Sequence, residues 1–365
     1  MSQLKGTQIE AGLELLIGNN TFTPSSQTSA HLGSNNGGNA FPLLPEGSLY
    51  LTHQLHDKVT VGLGLLSFFG LAEKYNNDWV GRYYVQEGAL LGLSFVPSVS
   101  YQVNDWLSVG AGMNAMDGIF KSQIAVNNAP WFGSDGQMKL EDNNWGFGAT
   151  GGLLVKLSDK TRFGLSYQSR VKLDFSAVPG WSNLSPGLKA ILAGRGSLNS
   201  SIDLGMTVPQ QVMGGLHHEL SDKWSVMVDA GWQNWAQFGY VNVAVSDKSG
   251  DLTYNSEYQD TWHLGGGAIY KYSEKWTFTG GLGYDSSPVN DANRSVTLPM
   301  GQQWRFGLGA MYQVSRKVTV GAAWDLIWMG QLNVDQYRGP LAGRVAGTYE
   351  GANVNTIVLN LNWKL

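Results

Sequence analysis

The side chains best suited to metal or acid–base chemistry are six histidines: His31, His53, His56, His217, His218 and His263. No two of them stand at metal-site spacing with carboxylates on a shared face. His217 and His218 are adjacent, so in a strand they point to opposite sides. Cysteine is absent, which removes disulfides and thiol chemistry. No nucleophile elbow or Ser/His arrangement rises above chance. The glycine pairs Gly62 and Gly64, Gly110 and Gly112, and Gly307 and Gly309 have strand spacing, so they make room rather than phosphate-binding turns. These residues imply no enzyme, no metal and no cofactor.

The element that must position everything else is a hairpin, clearest from Trp262 to Asn290. Trp262, Leu264, Gly266, Ala268 and Tyr270 share one face of an extended strand, with His263, Gly265, Gly267, Ile269 and Lys271 on the other. After the polar turn Ser273-Glu274-Lys275, residues Trp276, Phe278, Gly280, Leu282 and Tyr284 repeat the pattern. Five similar turns punctuate the chain: His56-Asp57-Lys58, Asn104-Asp105, Ser158-Asp159-Lys160, Ser221-Asp222-Lys223 and Ser315-Arg316-Lys317. Longer Gly/Asn/Ser/Pro-rich connections alternate with them, including Pro24 to Pro45, Ala72 to Gln86, Pro179 to Ser200 and Ser246 to Gly250. Six hairpins and a strand at each end give about fourteen strands in one domain, residues 1–365. The fold class is therefore all-β: a transmembrane antiparallel β-barrel with short periplasmic turns, long extracellular loops and both termini on the periplasmic side.

Composition agrees. Only 14% of residues are charged, and Gly and Trp are abundant, as suits a barrel with an apolar outside and a polar but sparsely charged inside. A net charge of −4 without a basic stripe excludes nucleic acid as a partner. No apolar run is long enough for a membrane helix. Ile9, Ala11, Leu13, Leu15 and Ile17 face lipid in this reading. So do Phe163, Leu165, Tyr167, Val171, Leu173 and Phe175, and Ile357, Leu359, Leu361, Trp363 and Leu365. Trp106, Trp224 and Trp276 each follow a short turn, where an interfacial belt belongs. Pro97 sits inside the strand Ala89 to Tyr101 and predicts a kink or break in the wall. Leu184, Leu188, Ile191 and Leu192 share a helical face in an outer loop, either a greasy landing patch or a lid over the mouth.

Several stretches, in this order, resemble the long-chain fatty acid transporter (FadL-type) outer-membrane family. They are Phe69-Gly70-Leu71 with Trp79-Val80-Gly81-Arg82, Pro97 to Gly112, and Asn144-Trp145-Gly146-Phe147-Gly148. Pro209 with Trp232 to Phe238 follows, then Tyr284-Asp285-Ser286-Ser287-Pro288-Val289 with Asn293-Arg294-Ser295 and Leu298-Pro299. The resemblance implies a Gram-negative outer-membrane barrel, monomeric and multi-pass, plugged by an N-terminal hatch. Hydrophobic substrate would be captured at an outer-loop groove, held in the lumen and released sideways through a gap beside a kinked strand, here matched to Ala89–Tyr101. Lipid, lipopolysaccharide and the barrel-insertion machinery would be its other partners. Two departures stand out. The chain starts where the family's hatch should already have ended, so hatch and signal peptide are expected to be missing. It also ends in Leu365 rather than an aromatic residue, which would weaken recognition by the insertion machinery.

A fatty acid offers a long tail and one carboxylate. About sixteen buried methylenes at roughly 0.8 kcal/mol each give on the order of 10 kcal/mol before ordering costs. A charge-assisted hydrogen bond to the head adds about 1.5–3 kcal/mol. The expected lumen-side apolar contacts are Leu66, Phe68, Leu90, Val96, Met227, Trp235, Ile269, Met311 and Ile327, and the carboxylate candidates are Lys121, Arg170, Lys172 and Arg305. Structural ion pairs with Asp174, Asp203, Asp229 and Asp325 are the competing role for those cations. Other hydrophobics, such as aromatic hydrocarbons, fit the same architecture; a general porin is the reading from a different class.

Overall fold

Period-2 alternation lets each hairpin become two neighbouring strands of one sheet. The computed structural model describes residues 1–131, 133–245 and 252–365. Fourteen strands form the wall. They are β1 (Thr7–Asn19), β2 (Leu44–His56), β3 (Val59–Lys74), β4 (Glu87–Gln102), β5 (Leu107–Val126), β6 (Gly136–Lys156) and β7 (Thr161–Gln168). The second half comprises β8 (Gln211–Glu219), β9 (Trp224–Gln233), β10 (Thr261–Lys271), β11 (Trp276–Asp285), β12 (Gln303–Gln313), β13 (Val318–Tyr337) and β14 (Arg344–Lys364). Each pairs antiparallel with the next, and β1 closes on β14 from Gln8↔Lys364 to Asn19↔Asn353. All six polar turns join strands at one end, as expected from the sequence. Leu13, Leu264 and Leu359 lie exposed on the outer face, and so do Trp106, Trp224 and Trp276 near the short turns.

One stretch departs from its predicted strand. Pairing of β7 stops at Gln168, and Val171, Leu173 and Phe175 are buried inside instead of facing lipid. The Ser169 amide donates to the Ala149 carbonyl at 2.8 Å, which turns the chain inward. Gly146 and Gly148 of β6 leave room for it: a Cβ on Gly146 would come within 2.4 Å of the Lys172 carbonyl. The residues from Val171 to Ala177 then open a second sheet with Ile202–Val208, Tyr240–Val245 and Leu252–Asn255. Phe175, Leu173, Val208 and Phe238 pack from it against Leu90 and Met116 of the wall. The connection predicted from Ser246 to Gly250 lies outside the described residues.

A second core caps the extracellular end. Phe22 and Leu32, Trp79 to Val85, Val296, and the upper part of the β13–β14 hairpin bury their side chains together. Tyr75 stacks on Trp79 with ring centroids 3.8 Å apart, and the Trp79 indole donates to the Val85 carbonyl at 2.6 Å. Arg82 and Tyr83 both reach Asp135, each at 2.7 Å. Arg294, almost fully buried, pairs with Asp291 and donates to the carbonyls of Met300 (2.6 Å) and Asn333 (2.9 Å).

Trp79→Ala should cost the cap about 3–5 kcal/mol, the usual penalty for emptying a buried aromatic site. Limited proteolysis should then cut between residues 75 and 86 while the barrel keeps its heat-modifiable migration; an intact cap would disprove the assignment. Asp291 gives a pH test. The Asn333 amide and then the Arg294 guanidinium hold its carboxyl below the usual range. Its contribution is therefore fully present above the ordinary carboxylate pKa of about 4 and is lost as pH falls through the lowered value. Pepsin cleavage within residues 286–302 should rise over that acid range, and Asp291→Asn should flatten the dependence.

Candidate functional site

Three cavities lie between the extracellular surface and the barrel wall. The outermost, about 280 Å³, is an apolar groove. Leu188 and Leu192 of the helix Pro186–Gly194 form one side, with Ile124, Val126, Met138 and Trp181 opposite. Ser185 caps the helix by accepting from the Leu188 amide at 3.3 Å, and Pro186 follows at the first helical position. The apolar face read from the sequence thus splits: Leu188 and Leu192 line the groove while Ile191 stays exposed. The Trp181 indole N–H is buried there without an acceptor among the described residues.

The second cavity, about 240 Å³, is the most enclosed. Leu71, Leu90 and Phe120 line it from the wall, Met206 and Phe238 from the inner segment, and Leu298 from an outer loop. Its polar lining includes Lys121, Ser122, Ser295, Glu73 and Arg338. Glu73 accepts from Asn20 Nδ2 and the Tyr75 hydroxyl, both at 3.3 Å. The Arg338 guanidinium lies 4.7 Å from the centre of the Tyr84 ring and forms no ion pair among the described residues. It is exposed, so a free cation stands where an apolar pocket meets water.

The third cavity, about 900 Å³, lies at an interruption of the wall. The β2–β3 ladder runs from His56↔Val59 to Leu49↔Leu65 and ends there. Above that point β2 continues pairing with β1 up to Leu44, and β3 with β4 up to Lys74. A bulge at Phe68, between Ser67↔Leu93 and Phe69↔Gly92, redirects β3. Its upper half passes behind β2: Glu46 points to the lumen side of β2, yet a Cβ on the outer face of Gly70 would come within 2.8 Å of Glu46 Oε1. The Lys74 amide, bonded to the Ala40 carbonyl at 2.8 Å, bounds the window above. Cavity-lining residues come from both faces, Leu49, Leu65 and Leu93 outward, Ser48, Leu66 and Ser94 inward.

The expected contacts therefore divide. Leu90 lines the enclosed pocket, with Phe68 and Trp235 packed against the same core; Trp235 sits in the short helix Trp235–Phe238 rather than on the wall. Leu66 lines the window, and Val96, opposite Gly64, faces the lumen just below it. Pro97 pairs with Leu63, and the β4–β5 ladder omits two steps there, those of Val96 and Pro97 opposite Asn114 and Met113, between Phe95↔Ala115 and Ser98↔Gly112. The larger interruption is two strand pairs earlier than the gap at Pro97, because the bulge at Phe68 carries no proline signature. Met227, Ile269, Met311 and Ile327 take the lumen face of β9, β10, β12 and β13, away from the three cavities.

Among the cations, Arg305 is on the lumen face, bonded to Asp285 at 2.7 Å. Asp285 also holds His263, whose other nitrogen meets Asp229, both at 2.8 Å. Of the other three candidates, Lys121 is among the residues that line the enclosed pocket, whereas Arg170 and Lys172 line none of the three cavities. Lys121 points outward from β5, paired with Glu87 and, at 3.6 Å, with Glu141. It lies beyond the roughly ten residues that cross the bilayer, so a charge is tolerated there. Arg170 and Lys172 belong to the segment that turns inward, and their side chains are exposed. Arg338 escaped notice because it sits in a connection, where alternation assigns no face.

The family described as "Outer membrane protein transport protein (OMPP1/FadL/TodX)" matches residues 1–364. A long-chain fatty acid transport protein of Escherichia coli O6:H1 is 25% identical over 322 residues, 80% of this chain and 71% of its own. A solved Pseudomonas aeruginosa FadL homologue superposes with a TM-score of 0.87 at 19% identity, covering 100% of this chain and 91% of that one. The Pseudomonas putida toluene transporter TodX gives 0.72 at 18% identity, with the same coverage. With the closed barrel, its outward apolar band and this match over nearly its whole length, the chain belongs to the OMPP1/FadL/TodX family of transporters for hydrophobic compounds in the Gram-negative outer membrane.

Proposed function

We propose that this protein takes up long-chain fatty acids passively, as a monomer. The acid is captured at the Leu188/Trp181 groove and passes to the enclosed pocket. Its carboxylate lies at Arg338 and its tail lies against Leu71, Leu90 and Phe120. It leaves sideways between β2 and β3. The observation that carries this reading is the pairing of an apolar pocket with a cation that has no acidic partner among the described residues. Tail burial supplies most of the affinity and Arg338 distinguishes the acid from other greasy molecules.

Monoaromatic hydrocarbons are the second reading. About 240 Å³ holds a substituted ring comfortably, since a cavity of about 150 Å³ holds benzene. A long chain has to run out of the pocket towards the groove or the window. A general porin has less support, because an inner sheet packs across the lumen side of β5 and β6.

Calorimetric titration of oleate, oleyl alcohol and toluene into the detergent-folded protein tests this. Oleate should saturate and bind more tightly than the alcohol. Arg338→Gln should weaken oleate about tenfold, near 1.4 kcal/mol, with the alcohol unchanged. Lys121→Gln should alter neither. Equal binding of acid and alcohol in both proteins would leave a conduit that reads only the tail. Saturable toluene with no oleate would favour the hydrocarbon reading, and steady ion conductance in a planar bilayer would favour the porin.

A further inference from the structure

Asn114 and Ser94 are buried side chains with nothing to bond to. Asn114 is 1% exposed and Ser94 4%, and neither the Asn114 amide nor the Ser94 hydroxyl has a hydrogen-bond partner among the described residues. Both take the lumen face. Asn114 stands opposite Gly148, between the outward residues Met113 and Ala115, while Ser94 stands opposite Met116 and lines the window cavity. Asn114 is one lumen-face step from Met116 towards the short turns, so the two polar groups are diagonal neighbours across β4 and β5. Asn114 lies in the omitted stretch of the ladder, opposite Val96, where the next residue, Pro97, has no N–H to give, and Ser94 lies beside that stretch. Leu66, Val96 and Met116 share this face, with Ser98 as the other diagonal neighbour of Asn114. Buried polar groups in native proteins are nearly always satisfied, so adjacent unsatisfied ones beside a cavity point to a missing partner.

We infer that Asn114 and Ser94 form a neutral head-group subsite on the lumen side of the window, reading an uncharged carboxylic acid or alcohol as the molecule passes out through the wall. The reading rests on the proposed function above. The chemistry follows from the donor count. An amide side chain presents a carbonyl acceptor and an N–H donor side by side. A protonated carboxyl, or a hydroxyl, offers both complements; a carboxylate has only acceptors and leaves Asn114 Oδ1 facing lone pairs. Among the described residues no Lys, Arg or His bonds to either of them. A carboxylate held at Arg338 therefore takes up a proton from lumen water before reaching this point, and that proton enters the membrane with the acid. The arrangement suits a window that opens on hydrocarbon, where an ion is far costlier than the neutral acid. Arg338 selects the charged form at the mouth, and the Asn114 subsite passes the neutral form at the exit.

The test is initial uptake of radiolabelled hexadecanoic acid, hexadecanol and hexadecane by Gram-negative cells that carry this protein and no other member of the family. Asn114→Leu should lower acid and alcohol rates about tenfold and leave hexadecane within twofold; Ser94→Ala should lower the first two about threefold. Heat-modifiable migration should be unchanged or shifted upward in Asn114→Leu, since it removes unpaired buried groups. Should that variant not insert, Asn114→Ala and Ser94→Ala carry the same comparison. Parallel loss of all three substrates, or loss of none, overturns the inference while leaving acid uptake by the unaltered protein as support for the proposed function. Unaltered protein that carries hexadecane but neither acid nor alcohol overturns both.

Discussion

Inside a bilayer a backbone N–H or C=O has no water to fall back on, and each one left unpaired costs several kcal/mol. Closure of β1 on β14 meets that demand by removing both edges of the sheet. The rest of the molecule is built around this ladder. Six of the thirteen other strand pairs are held in register by short turns, and the interior can stay weakly polar because lipid never reaches it.

Where the ladder is broken, the break is therefore informative. β2 and β3 part above Leu49↔Leu65, and each keeps its pairing with the strand on its other side. The bulge at Phe68 lets β3 change direction without losing β4, and Gly70 supplies the space in which Glu46 meets the displaced strand. The wall thus contains a short stretch where β2 and β3 do not pair and a cavity lined from both sides. The same economy appears at Gly146 and Gly148, whose missing side chains admit the inward-turning segment that builds the enclosed pocket.

Charge is handled by position rather than by number. One cluster of lumen charges satisfies itself: His263 lies between Asp229 and Asp285, and Arg305 leans on Asp285. At the rim Lys121 pairs outward with Glu87 and Glu141. Among the described residues, Arg338 alone of the pocket-lining cations faces an aromatic ring instead of a carboxylate, which leaves it available to an incoming anion. The polar pair Asn114 and Ser94, deeper and uncharged, matches a later stage of the same passage.

The sequence by itself determined the strand count, the turns, the belt and the face of nearly every wall residue. Period-2 alternation is a local property, and a lipid-facing barrel obeys it almost without exception. Leu66, Leu90, Val96 and Arg305 were legible on that basis. Local pattern could not decide where pairing stops, because a ladder joins residues far apart in the chain: Pro97 drew attention that belonged equally to Phe68. Nor could it tell that Val171 to Phe175, alternating like any wall strand, leaves the wall after Gln168. That turn depends on room made by Gly146 and Gly148, contributed from another strand. Arg338 and Trp181 lie in connections with no periodicity, and only the packing of cap, inner sheet and wall brings them to their pockets.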